Sequence, residues 1–321
     1  MPRPIVAGYV SAWNSIVGAL TGTLRALGAE HAPATVAVLT GHAFRFALTQ
    51  TPAGAIGAGG PNAFATSSAV PLFEGLGWRF RAFDAAADDP AYAERRVEAL
   101  RLLHGCLDRG RPAIAFGLHL PEFGIVRGYA GDDLLAGTAV SSQYGERIPA
   151  AQWPAPGRPL PIRLFLPAQR LKVRHDRALG AALRFAVSYA RTGDAAGVVA
   201  EEPVIASGLA AYTRWLALLE GEAPISAHGH AYCIQALQEA RTQAAQVLAA
   251  AAVEPAWHGL GAAAVAYKRE VAVLSQLATL FPYPNGGSVG SPGVRRAGAA
   301  ALRRALAAEA EAIAALAAAL D

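Results

Sequence analysis

A hydroxyl and a carboxylate are the first groups along this chain with the makings of a reaction. Ser15, in the run Trp13–Asn14–Ser15, opens a segment in which Ile16, Val17, Leu20, Leu24 and Leu27 recur on one helical face before Gly28. A hydroxyl at a helix start ordinarily satisfies exposed backbone amides, and Asn14 or Ser11 can cap the same turn. Ser15 becomes a nucleophile only beside a general base. Glu122, between Pro121 and Phe123 at the entrance of a strand-like run, is such a base if burial raises its pKa, and otherwise a solvated strand-end carboxylate. His119, three residues earlier, supplies an imidazole or sits as a structural histidine between Leu118 and Leu120.

Other polar groups carry weaker signals. His42 and Arg45 fall three apart on what reads as one helical face, where they either line a cleft or bridge to a neighbouring carbonyl or carboxylate. In "AHGHAYC", His228, His230 and Cys233 have metal-ligand chemistry. Residues two apart on a helix diverge, however, so no metal is expected there. "GAIGAGG" matches a phosphate-cradling loop in glycine count alone; it follows no strand and lacks the Gly-Lys-Ser/Thr ending. No cofactor motif is legible. Asp132 and Asp133 cap or solvate the turn after "GYAG".

These side chains must be held by a sizeable fold. The chain has 321 residues, 53% hydrophobic and 16% charged, enough for two compact domains and unlike a disordered segment. The formal charge is +4, but the basic residues are scattered, which excludes a clustered nucleic-acid stripe. Cys106 and Cys233 sit inside helix-like segments and suit buried reduced thiols, so a cytoplasmic location is expected. No signal peptide and no bilayer-spanning run are legible, so no membrane partner is expected.

The pattern changes along the chain and sets two domains, residues 1–168 and 169–321. In the first, "ATVAVLTGHAFRFALT" reads as a second helix, "NAFATSSAVPLFEGLG" as a third and "AYAERRVEALRLLHGCLDRG" as an amphipathic fourth. "WRFRAF", "RPAIAFGL", "FGIVRGYAG", "LLAGTAV" and "IRLFLP" read as short strands, most separated by turn residues, which predicts an antiparallel sheet covered by helices and an α+β class. From about Leu171 the pattern is helical throughout, with helices predicted near 174–192, 204–220, 228–252, 256–281 and 296–320. "FPYPNGGSVGSPG" breaks it as a surface crossing or a lid. The alanine-rich last helix makes a homo-oligomer conceivable, and Tyr212, Trp215, Tyr232, Arg241 and Tyr267 are read as packing residues first.

The order of these segments resembles the papain-like domain of bacteriocin-processing-type peptidases and of the butirosin biosynthesis protein H family. The likeness rests on the capped first helix, on "LTGHAFRF" and on "GRPAIAFGL…PEFGIVRGYAGDDLLAG"; "LAAYTRWLALL" and "LQEARTQAAQVL" are similar to that family's helical extension. The resemblance implies a reactive cysteine at the start of the first helix, which maps to Asn14 or Ser15. It implies a histidine about six residues before Gly128, which maps to Glu122 or Phe123. Neither side chain is present, so a thiol peptidase is not expected.

What the resemblance then implies is a protein that binds a small molecule or an acyl-bearing partner, such as an acyl carrier. The cleft would include Trp13, Asn14, Ser15, Glu122, His42, Arg45 and Tyr129. The alternative is a biosynthetic acyl- or amide-transferring or hydrolytic enzyme using Ser15, or Glu122 with His119.

Overall fold

The computed structural model describes residues 4–154, 160–193, 198–199, 202–221 and 225–321. The chain runs through α1 (Ser15–Ala26), α2 (Pro33–Leu39), β1 (Ala47–Thr49), α3 (Thr66–Phe73), β2 (Trp78–Ala85), α4 (Tyr92–Leu107), β3 (Ala113–Phe116), β4 (Phe123–Ala130) and β5 (Asp133–Gly137). It continues with α5 (Ser141–Tyr144), β6 (Arg147–Pro149), β7 (Ile162–Arg170), α6 (His175–Thr192), β8 (Val198–Val199), β9 (Glu202–Ser207), α7 (Leu209–Glu220), α8 (Ala227–Ala251), α9 (Leu260–Leu280) and α10 (Pro292–Ala318). The class is α+β with antiparallel pairing.

Two compact units interleave in sequence. The first takes the chain up to Val36 and Thr66–Ala178; the second takes Ala37–Ala65, α6 from Leu179 onward, and Glu202–Asp321.

The first unit is a six-stranded sheet in the order β2-β7-β3-β4-β5-β6. β3, β4, β5 and β6 are neighbours in sequence, as short turns require, but β7 slots between β2 and β3. Alternation along the strands gives the sheet two different faces. Leu164 and Leu166 of β7, Val126 of β4 and Ala113 and Ala115 of β3 pack against Ala99, Leu103, Cys106 and Leu107 of α4. The other face is aromatic: Phe80, Phe73, Phe165, Phe123 and Phe116 form a chain with successive ring centroids 5.8, 5.3, 5.7 and 5.0 Å apart.

α1 lies on that aromatic face, and its glycines explain how closely. A methyl group at Gly22 would overlap the Gly8 carbonyl and come 2.6 Å from Ile125 Cδ1; one at Gly18 would overlap the Val10 carbonyl and crowd the Tyr9 ring. The segment before α1 therefore runs directly over the helix, anchored where the Ile5 amide donates to the Arg127 carbonyl at 2.8 Å. Asn14 occupies the cap position by its backbone. Its φ and ψ of −91° and 102° are extended, its carbonyl accepts from the amides of Val17 and Gly18 at 3.0 and 3.3 Å, and its side chain makes no cap hydrogen bond.

The second unit departs from the sequence reading in two places. Its helices α7 to α10 share a core that includes Trp215, Ile234, Leu274, Leu277, Phe281 and Leu302, yet the unit is not all-α. β1 pairs with β9 antiparallel, Ala47 opposite Ser207 and Leu48 opposite Ala206, in a three-stranded sheet with β8. The helix expected from 204 therefore begins only at Leu209, after Gly208 turns the chain with φ +62°.

The second expected helix likewise stops at Leu39, because Gly41 adopts φ +76° and the apolar run that follows is extended. The stretch "FPYPNGGSVGSPG", expected as a surface crossing or a lid, takes the form of a surface crossing: residues 282–285 are exposed, Phe281 and Val289 are buried anchors, and Gly286 lies against Ala227 at the start of α8. Among the described residues no helix is long and apolar enough to cross a membrane.

Gly22 gives the first test. In an open helix Gly→Ala stabilises by about 1 kcal/mol; here Gly22→Ala is expected to destabilise by about 1–3 kcal/mol through overpacking against Gly8 and Ile125. Denaturant titration followed by circular dichroism measures it, and a gain in stability would contradict the close approach.

Candidate functional site

The start of α1 meets the start of β4. The Phe123 amide donates to Ser15 Oγ at 3.0 Å, and Ser15 is 1% exposed. Glu122, the next residue back, ends a tight turn from Gly117: its amide donates to the Leu120 carbonyl at 2.7 Å and its carbonyl accepts from the Gly117 amide at 3.0 Å. Trp13 and Glu122 are half-buried, and Asn14 is buried. Ser15 thus stands one residue from Glu122, with its oxygen already serving as a backbone acceptor.

Arg163 is a charged neighbour that the sequence reading missed. It projects from β7 onto the aromatic face with 7% exposure, its guanidinium 5.3 Å from the Phe123 ring centroid. Its Nη2 donates to Thr66 Oγ1 at 3.3 Å, and its Nε lies 3.6 Å from Asp84 Oδ1. The signal was available in "IRLFLP". An arginine between Ile162 and Leu164 must face away from both, and so toward Phe165 and its neighbours.

His119 and Tyr129 of the first unit are engaged away from the Ser15–Phe123 contact. His119 stays in the β3–β4 turn, its Nε2 3.1 Å from the Gly145 carbonyl and its ring stacked on Tyr144 at 5.6 Å. Those contacts turn the imidazole to the α5 end of the sheet, and it does not pair with Ser15. Tyr129 sits on the α4 side, against His104 with centroids 4.6 Å apart, and donates to Asp108 Oδ1 at 2.8 Å. Strand alternation with a bulge between Val126 and Gly128 puts it there, opposite the face that carries α1. The Asp108 hydrogen bond raises the Tyr129 phenol above its ordinary range.

His42 and Arg45 belong to the second unit and occupy the turn after α2, so the expected helical face does not exist. His42 Nδ1 is 2.9 Å from Thr40 Oγ1, and its ring meets Phe64 edge-on at 4.9 Å. The Arg45 guanidinium lies over three aromatic rings, those of Phe185, Tyr189 and Phe64, at 4.3, 5.4 and 5.6 Å.

The remaining nucleophile and ligand candidates are sealed. Burial pushes the Cys106 thiol up to about 11, and burial with the nearby Glu202 carboxylate pushes Cys233 up to about 12, so neither is a thiolate near neutral pH. His230 accepts from Trp215 Nε1 at 2.8 Å, and burial, then the Arg295 charge, holds it down at about 3. His228 instead stacks outward on Tyr283 and Tyr232. The three residues of "AHGHAYC" therefore diverge, and among the described residues no group of three or more His, Cys, Asp or Glu could hold a metal ion. The glycine-rich loop is filled from within its own unit: Glu202 Oε2 accepts from the Gly59 amide at 2.8 Å and the Thr49 hydroxyl at 2.7 Å, and a side chain at Gly57 would overlap that carboxylate.

No protein-family model matches the sequence, and no curated protein matches it.

Ser15→Ala removes the acceptor from a buried amide. It is expected to lower stability by about 1–3 kcal/mol, the cost of leaving the Phe123 N–H unsatisfied. Thermal or chemical unfolding measures this; an unchanged midpoint would mean the hydroxyl does not hold α1 to β4.

Proposed function

We propose that this chain is a papain-like, butirosin-H-like protein without thiol chemistry, and that its first unit binds a small molecule or an acyl-bearing partner beside Trp13, Ser15 and Glu122. The observation that carries the reading is the hydrogen bond from the Phe123 amide to Ser15 Oγ. It brings the helix start and the strand start together, as a papain-like body requires, while occupying the serine oxygen as an acceptor. His119, the imidazole nearest that corner in sequence, is engaged with Gly145 and Tyr144.

Binding needs only what is half-open there. The Trp13 indole offers apolar stacking area, and the Glu122 carboxylate accepts a charge-assisted hydrogen bond from an amine. Two free, buried cysteines support a reducing, cytoplasmic setting for such a protein.

A panel of amines, amino sugars and acyl-pantetheine thioesters, screened by thermal shift, tests the reading. Any amine hit should weaken by about 10- to 100-fold in Glu122→Gln, the loss of one hydrogen bond to a charged group. Trp13→Ala should abolish it, and Ser15→Ala should retain it. Hits indifferent to both Trp13 and Glu122 would overturn the assignment, as would turnover of a thioester that vanishes in Ser15→Ala.

A further inference from the structure

Four helices of the second unit converge on a charge cluster that the binding reading leaves unused. Arg241 of α8 is fully buried, as are Glu270 of α9 and Glu309 of α10. Arg241 Nε and Nη2 donate to Glu309 as a fork at 2.8 and 3.0 Å, and Nη1 donates to the Ala43 carbonyl at 2.7 Å. Glu270 lies on the same guanidinium, Oε2 3.6 Å from Nε, and its Oε1 accepts from the Tyr212 hydroxyl of α7 at 2.5 Å. The ring of Tyr267, also on α9, stands 5.6 Å from the Arg241 Cζ. Among the described residues, Tyr212, Arg241, Tyr267 and Glu309 are the titratable and charged groups that act on Glu270 or share its cluster.

One cation cannot neutralise two buried carboxylates, and an unbalanced charge in a dry helical core is strongly disfavoured. Binding a proton removes the excess. The guanidinium fork is committed to Glu309, which is therefore the ionised partner. Among the described residues Glu270 Oε2 accepts no hydrogen bond, as expected for an oxygen that carries the proton itself, and it gathers with Glu309 Oε2 on the same Arg241 Nε, at 3.6 and 2.8 Å.

We propose that Glu270 and Glu309 hold one proton between them, Glu270 as the acid and Glu309 as the carboxylate. This proton latches the helical unit and the His42–Arg45 turn that Arg241 tethers through Ala43. Burial first, and the Glu309 charge second, push the Glu270 carboxyl well above the usual carboxylate range. The sign follows from linkage. In the unfolded chain Glu270 titrates near about 4.3, so above that pH the folded state binds a proton that the unfolded chain has lost. The stabilisation is complete below the unfolded pKa and drains away as pH rises through the folded one. Each pH unit in that window lowers the folding constant by up to roughly tenfold.

Hydrogen exchange of the full chain, read by mass spectrometry on peptides from α8, α9 and α10, compares wild type with Glu270→Gln at matched pH so that intrinsic base catalysis cancels. A glutamine keeps the acceptor for Tyr212 and a donor for Glu309 without a titrating proton. The ratio of wild-type to variant exchange rates should climb between about pH 5 and pH 8, by up to roughly tenfold per unit. A ratio independent of pH overturns the proposal. If the variant does not fold, infrared spectroscopy of the wild type decides: a protonated carboxylic-acid carbonyl band persisting above neutral pH supports the shared proton, and its absence overturns it.

Discussion

The first unit is organised around one close approach, that of α1 to the aromatic face of its sheet. Two glycines one helical turn apart, Gly18 and Gly22, let the segment from Gly8 to Val10 and the Ile125 side chain press against the helix backbone. With the helix held so near, the first hydroxyl of α1 reaches the first amide of β4, and Ser15 closes the contact at 3.0 Å. The rest of the proposed site inherits its positions from that contact. Glu122 is the residue before the clamped amide, Trp13 precedes the extended Asn14 cap, and Arg163 lies over the clamped phenylalanine.

The two units use buried polarity differently. In the first, a neutral hydroxyl and backbone groups meet each other, which secures geometry with little electrostatic cost. In the second, a guanidinium and two carboxylates are enclosed by helices, an arrangement whose balance depends on protonation. The thiols follow a third course: Cys106 and Cys233 are packed as apolar groups, and burial keeps them from ionising near neutral pH. Ser15 thus serves as a hydrogen-bond acceptor, and desolvation holds both thiols protonated.

Much of the fold was legible because it depends on local pattern. β2, β3, β4, β5 and β7 fall on the alternating runs, and the close packing at Gly18 and Gly22 follows from glycine inside an otherwise apolar helix. The failures are non-local. Nothing near Glu202 announces that residues 202–207 pair with Ala47–Thr49, far back in the chain, so a strand was read as helix. The run from Ala34 to Thr49 carries enough apolar residues for one long helix, and only the left-handed turn at Gly41 divides it. Of the site, the start of α1 and the Glu122–Phe123 corner, expected to face each other across an open hollow, are joined by a buried hydrogen bond from the Phe123 amide to Ser15. The side of the sheet taken by Tyr129 was lost to a one-residue bulge, which turns a side chain over.

The central claim is that Ser15 is a clamp and not a nucleophile, and prolonged incubation with a serine-directed fluorophosphonate, followed by intact and peptide mass spectrometry, tests it most directly. The account predicts that the folded chain gains no phosphonyl mass on the peptide containing Ser15. A stoichiometric adduct on Ser15, formed by the folded protein and absent after denaturation, would contradict it.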